Sequence, residues 1–117
     1  MLYTIDRTKI DYIPHKKDYD AWRNNLSDDD YVIIMESFEK ILDSGEVHVS
    51  SFIPGNDWSN TPYQPLYIAC DENEKLSGYF FGLLFWEAVM KHNDNWSFLK
   101  YDDRNIKGMT YFKITLK

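Results

Sequence analysis

One stretch of this sequence gathers the residue types of hydrolytic chemistry, namely a histidine, serines and an aspartate between positions 48 and 59. His48 and Asp57 could form a dyad that activates a neighbouring serine hydroxyl. The favoured alternative is structural: Asn56 and Asp57 form turns, and Trp58 covers the edge of the core. The chain has no GxSxG, HExxH or glycine-rich phosphate motif. We therefore expect a protein that is not an enzyme.

The same segment could instead bind a small ligand. Backbone amides at a helix start near Thr61 can hold an anion, and Trp58 and Tyr63 could stack on a base or another ring. Arg104 would add positive charge if the fold brings it near. The alternative function is thus a nucleotide-like ligand binder, and its site residues are Ser51, Asn56, Asp57, Trp58, Thr61, Tyr63, Gln64 and Arg104.

Metal and thiol chemistry have little support. The three histidines, His15, His48 and His92, lie far apart in the sequence, so solvated or structural roles are favoured over a metal site, and we expect no cofactor. The single cysteine, Cys70, cannot form an intramolecular disulfide, and we expect it to be a small buried side chain in a reducing cytoplasm.

The negative charge is concentrated in one half of the chain. The net charge is −6, and residues 1–60 carry the whole excess of acidic over basic side chains. Such a surface repels phosphate, which disfavours direct binding of duplex DNA, and attracts a basic protein. The alternative is that these carboxylates only face solvent on the surfaces of helices and bind no partner. The candidate partner-binding residues are Asp18, Asp20, Asp28, Asp29, Asp30, Glu36, Glu39 and Asp43.

Helical patterns position these acidic residues. Asp18 is a plausible cap for a short helix that ends near Leu26. Ser27 caps a second helix, with acidic residues in its first turn and an apolar stripe at helical spacing, and Gly45 marks its end.

Two more helices are predicted after the 54–65 loop. Thr61 begins a capping box for a short helix that ends at Ala69 or Cys70. Asp71 then caps a helix over about 72–91 that is apolar on nearly all sides, as a central buried helix would be. Gly78 and Gly82 in this helix indicate close packing of another backbone.

Alternating residues predict strands over 2–5, 46–53, 96–101 and 109–116, and turn-forming residues join the last two as a C-terminal β-hairpin. We expect a single α+β domain over residues 1–117, with a three- or four-stranded antiparallel sheet and helices packed on one face. The longest apolar stretch is too short to span a membrane, and no signal peptide is evident. A soluble protein is expected.

Three segments resemble small uncharacterised proteins encoded by phages and prophages of low-GC Gram-positive bacteria. They are Ser50–Tyr67, Phe80–Leu83 and Lys107–Ile114. The resemblance transfers no site residue. It implies a context in which short acidic proteins often inhibit host immune systems, as anti-CRISPR and other anti-defence proteins do.

Together these observations predict a phage-type accessory protein of the bacterial cytoplasm that acts by binding. Its partner would be a protein with a basic surface, such as a host defence nuclease or effector. This chain would bind that partner through its acidic helical face. Aromatic side chains could also seal a homodimer, and the sequence leaves the oligomeric state open.

Overall fold

The computed structural model describes residues 1–45, 47–49, 63–100 and 109–115. These residues contain helices and strands in one sheet, which confirms the α+β prediction. The helices are α1 (Lys16–Asn24), α2 (Asp28–Asp43), α3 (Gln64–Ala69) and α4 (Glu74–Lys91). The strands are β1 (Leu2–Tyr3), β2 (Lys9–Ile10), β3 (Val47–Val49), β4 (Trp96–Lys100) and β5 (Met109–Lys113).

The sheet has the strand order β2-β1-β4-β5-β3. Strands β4 and β5 pair antiparallel, with Phe98 opposite Tyr111, which confirms the C-terminal hairpin. Two details differ from the prediction: the described residues form five strands, and β1 runs parallel to β4, with Leu2 opposite Trp96. The alternation of side chains within a strand sets its buried face but not the direction of its neighbour, so the sequence could not reveal the parallel pair.

The N-terminal amino group lies at the end of α4. It donates hydrogen bonds to the carbonyl oxygens of Val89 (3.1 Å) and Asp94 (2.8 Å), and also to that of His92. A positive charge at a helix C-terminus is favourable because the last carbonyls have no partner within the helix. These contacts hold β1 beside the start of β4.

Helix α4 is the centre of the molecule, as its apolar sequence predicts. Its side chains Phe85 and Trp86 contact Tyr111 and Phe98 on one face of the sheet, with ring centroids 5.3 and 5.0 Å apart. Helices α1, α2 and α3 pack against α4. For example, the Phe38 ring of α2 lies edge-on to Phe85 at 5.0 Å. The helices therefore cover one face of the sheet, as expected.

The helices begin close to the predicted capping residues, and some of them start a few residues away from the predicted position. The Ser27 hydroxyl accepts a hydrogen bond from the Asp30 backbone N–H at 3.1 Å, which confirms the predicted cap of α2. Helix α4 is capped by Asn73 and not by Asp71, because Asp71 and Glu72 adopt left-handed backbone angles in the turn that precedes it.

Helix α1 begins before the predicted cap Asp18, which lies within the first turn. Helix α3 begins at Gln64, and its predicted cap, Thr61, lies outside the described residues.

The glycines of α4 do not fit the expectation of close packing. Within the part of the chain that the structure describes, a Cβ atom added at Gly78 or Gly82 would meet nothing within 4 Å. Among the described residues, no neighbouring backbone therefore requires a glycine at either position.

Candidate functional site

Five of the predicted partner-binding carboxylates lie on one side of α2. Ile34, Phe38 and Leu42 bury the opposite side of this helix in the core. At 3.6 residues per turn, the five carboxylates fall within an arc of roughly 100°. This acidic face consists of Asp28, Asp29, Glu36, Glu39 and Asp43, all of which are exposed.

The other three predicted acidic residues lie elsewhere. Asp30 is half-buried on a different side of α2 from the acidic face. Asp18 and Asp20 belong to α1, where two positions two residues apart point in directions roughly 160° apart. The fold therefore brings together five of the eight predicted residues and leaves three outside this face.

Two of these carboxylates are bonded within the protein, Asp28 by an ion pair and Asp43 by a hydrogen bond. The Arg23 guanidinium lies 2.8 Å from the Asp28 carboxylate, and the His92 ring lies 2.7 Å from Asp43. Among the residues that the structure describes, Asp29, Glu36 and Glu39 have no ion-pair partner. The open negative charge of the acidic face is therefore centred on these three.

A shallow cavity of about 230 Å³ adjoins the acidic face, between α2 and the C-terminal end of α4. We call it the α2–α4 groove. Its apolar lining is Val32, Met35 and Ala88, and Glu36 and Glu39 line its α2 side. Val32 is 49% exposed. The groove thus combines apolar surface with carboxylates that have no ion-pair partner in the described part of the chain.

The basic groups on the α4 side of the groove already have partners. The Lys91 ammonium lies 3.1 Å from the Tyr31 hydroxyl and 3.8 Å from the Glu87 carboxylate. The hydrogen bond with Tyr31 raises the pKa of Lys91. In the His92 ring, Nδ1 accepts hydrogen bonds from the Trp96 indole (3.1 Å) and the Asp94 backbone N–H (3.2 Å). The ring proton therefore lies on Nε2, which donates to Asp43.

His92 is consequently a structural histidine, which is the role that the sequence favoured. Its ring is buried and its two nitrogens are both used within the protein.

A buried carboxylate that the sequence analysis did not select lies behind the groove. Glu87 is only 8% exposed; its carboxylate accepts hydrogen bonds from the Tyr19 hydroxyl at 2.7 Å and from the Tyr31 hydroxyl. Burial and the bond to Glu87 raise the pKa values of both phenols. In the sequence, the sign of this buried site is that Glu87 is a single acidic residue within the apolar run of α4. This cluster joins α1, α2 and α4.

Glu87 also borders a second cavity of about 360 Å³ next to the segment before α1. Its apolar lining is Tyr12, Ile13 and Met90. Its charged lining is balanced, with Asp11 and Glu87 opposed by Lys16 and Lys91. This balance gives the second cavity no preference for a ligand of one sign, and it is a weaker candidate site than the groove.

Most of the predicted ligand site lies outside the described residues. This applies to Ser51, Asn56, Asp57, Trp58, Thr61 and Arg104. The dyad of His48 with Asp57 likewise stays a prediction, since the structure describes only the backbone pairing of His48 with Tyr111.

The two described members of the ligand site are Tyr63 and Gln64. Gln64 is the exposed first residue of α3. Tyr63 is 7% exposed, its ring is stacked on Phe38 at 5.4 Å, and its hydroxyl is bonded to Ser37 at 2.7 Å. The proposed role of Tyr63 as an open stacking surface is therefore wrong, because the ring is part of the core.

Cys70 is buried, as expected, and burial raises the pKa of its thiol to about 11. Over residues 1–45, 47–49, 63–100 and 109–115, no group of three or more His, Cys, Asp or Glu side chains is placed to hold a metal ion. None of the helices in those ranges has the length and apolar character needed to cross a membrane.

Comparisons with family models, with curated proteins and with solved structures found no match to the chain. The resemblance to phage-encoded proteins stays a prediction.

Proposed function

We propose that this protein acts by binding, and that the acidic face of α2 docks onto a basic surface of a partner protein. The observation that supports this most directly is the open charge of Asp29, Glu36 and Glu39, which are exposed and have no ion-pair partner among the described residues. Surface carboxylates that have no internal ion pair can bind a partner without breaking an existing bond.

The spacing of these charges favours their joint action. Glu36 and Asp43 are separated by about 10 Å along the helix axis, at 1.5 Å per residue. The Debye length at physiological salt is about 8 Å, so the fields of neighbouring carboxylates on this face overlap. A partner with clustered lysines or arginines would be attracted to the face, with a rate that falls as salt is added.

The class of partner follows from the charge and from the resemblance described above. Proteins that handle nucleic acids carry basic surfaces, because they must neutralise phosphates. We propose a bacterial defence nuclease or effector as the partner, and inhibition by occupation of its basic surface in the host cytoplasm as the mechanism. No catalytic step is required of this chain.

The experiment is an affinity pull-down from bacterial lysate, with bound proteins quantified by mass spectrometry. Glu36→Lys with Glu39→Lys reverses two charges on the acidic face. The matched control is Asp11→Lys with Asp18→Lys, which makes the same change in net charge at exposed positions outside α2. Circular dichroism checks that each variant is folded.

We expect the wild-type protein and the control to retain the same basic partner in near-stoichiometric amount, and the α2 variant to lose it. Equal retention by the α2 variant would reject the acidic face. Recovery of no specific protein by the wild type, from cells with and without known defence systems, would reject the proposed function.

A further inference from the structure

We propose that the α2–α4 groove receives a basic amphipathic α-helix of the partner. One apolar side chain of that helix would enter between Val32, Met35 and Ala88, while its lysines or arginines pair with Glu36 and Glu39. This inference rests on the proposed function, because it identifies the chemistry of the partner at the acidic face.

The groove has an apolar lining that can receive an apolar side chain. Ala88 of α4 is small, and the space beside it is bordered by the flexible side chain of Met35 and by the half-exposed Val32. Methionine adapts its shape to different partners, which suits a surface that receives an apolar side chain. A purely electrostatic surface would have no need for this apolar depression.

The charged groups on the two sides of the groove differ in whether they already have partners within the protein. On the α4 side, Lys91 and His92 are bonded to Tyr31 and Asp43. On the α2 side, Glu36 and Glu39 are exposed and have no ion-pair partner in the described residues. A cationic helix would therefore meet, along one side of the groove, carboxylates that have no ion-pair partner among the described residues. On the other side, Lys91 is already paired with Glu87 at 3.8 Å, and the His92 ring donates to Asp43.

The spacing of the carboxylates favours a helix over a strand. Glu36 and Glu39, the two carboxylates that line the groove, lie about one turn apart, roughly 4.5 Å along the axis. A helix that lies alongside α2 presents side chains of one face about every 5.4 Å. An extended strand presents them about every 6.8 Å. The groove also lies between two helices, the arrangement used in helix-in-groove recognition.

The test uses synthetic fluorescein-labelled peptides and fluorescence anisotropy. The probe is a leucine–lysine–alanine peptide that places leucines along one face of a helix and lysines on the two flanks of that face. A second peptide has the same composition arranged with period two, and a third replaces each lysine of the probe with glutamate. We expect the helical basic probe to bind at least about tenfold more tightly than the period-two peptide, and the acidic peptide not to bind.

Two neutral substitutions distinguish the groove from the general charge of the protein. Val32→Asn removes a half-exposed apolar side chain that lines the groove, and should weaken binding of the probe about threefold to fourfold. Ile33→Asn is the matched control, because Ile33 is 53% exposed on the same helix but does not line the groove. This control should bind the probe as the wild type does.

The outcomes separate the two proposals. Equal affinity for the helical and period-two peptides, or equal effects of the Val32 and Ile33 substitutions, would overturn the groove inference. The acidic face would still stand if reversal of Glu36 and Glu39 removes the partner captured from lysate. Retention of that partner by the reversed variant would overturn both.

Discussion

Replacement of the two glycines of α4 by alanine gives a sharp test of the fold, because sequence and structure predict opposite results. Gly78 and Gly82 lie within the helix Glu74–Lys91. Glycine in a helix interior is less stable than alanine by about 0.5–1 kcal/mol, because its backbone loses more freedom on folding. If another backbone packed against these residues, an added methyl group would clash and destabilise the protein.

The structure predicts stabilisation. Within the described part of the chain, a new Cβ at either position has no neighbour within 4 Å, so only the gain in helix propensity remains. Gly78→Ala and Gly82→Ala should each raise the free energy of unfolding by about 0.5–1 kcal/mol, and together by about 1–2 kcal/mol. For a domain of this size the double variant should raise the urea midpoint by roughly 0.3–2 M.

The assay is urea unfolding followed by tryptophan fluorescence. Leu84→Ala on the same helix serves as the contrasting variant. The Leu84 side chain is fully buried, so this variant should lose about 2–5 kcal/mol of stability. A loss of more than about 0.5 kcal/mol from either glycine substitution would refute the reasoning, and would show that a chain segment or a second copy packs on this face.

Three further predictions concern buried polar groups. Tyr19→Phe removes the donor to the buried Glu87 carboxylate and should lower the free energy of unfolding by about 1.5–3 kcal/mol; a change within about 0.5 kcal/mol would contradict the contact. Four tyrosines keep their protons in the folded protein above the ordinary tyrosine pKa, while the unfolded chain loses its protons there, so stability should fall as pH rises above about 10. The tyrosinate absorbance of these four should appear at a higher pH in the folded protein than in the urea-unfolded chain, and identical titration curves for the two states would contradict the raised pKa values. The four are Tyr19, Tyr31, Tyr63 and Tyr111. Cys70 should resist alkylation by iodoacetamide in the native protein and react in urea, since its thiol is buried with a pKa of about 11; rapid native labelling would contradict this.

The helices were the most predictable part of the fold because their signals are local. Ser27, the acidic first turn and the apolar stripe of α2 lie within one continuous segment, and the structure confirms them. The cap of α4 was placed at Asp71 instead of Asn73, because both residues can cap and only the left-handed turn at positions 71 and 72 selects between them. Local sequence can therefore predict that a helix begins in a given segment without identifying the residue that caps it.

Properties that depend on distant residues were not predictable. The parallel pairing of β1 with β4 joins residues that are far apart in the sequence, and no local pattern encodes it. The same holds for Glu87, whose phenol partners come from α1 and α2. For the candidate site, helical periodicity places Glu36, Glu39 and Asp43 on the solvent side of α2, as the structure does, whereas Asp30, which was also predicted, lies on a different side. The α2–α4 groove needed the packing angle of two helices, which the sequence does not give.

The pairing of Leu2 with Trp96 also constrains how the protein is made. The first strand leaves the ribosome long before its neighbour in the sheet is synthesised, so β1 cannot complete its hydrogen bonds until nearly the whole chain is available. Contacts of such large sequence separation form late and slow the folding of small domains. During translation, the apolar faces of α1 and α2 should therefore stay uncovered until α4 has been synthesised. A truncated nascent chain should be bound by chaperones more readily than the full chain.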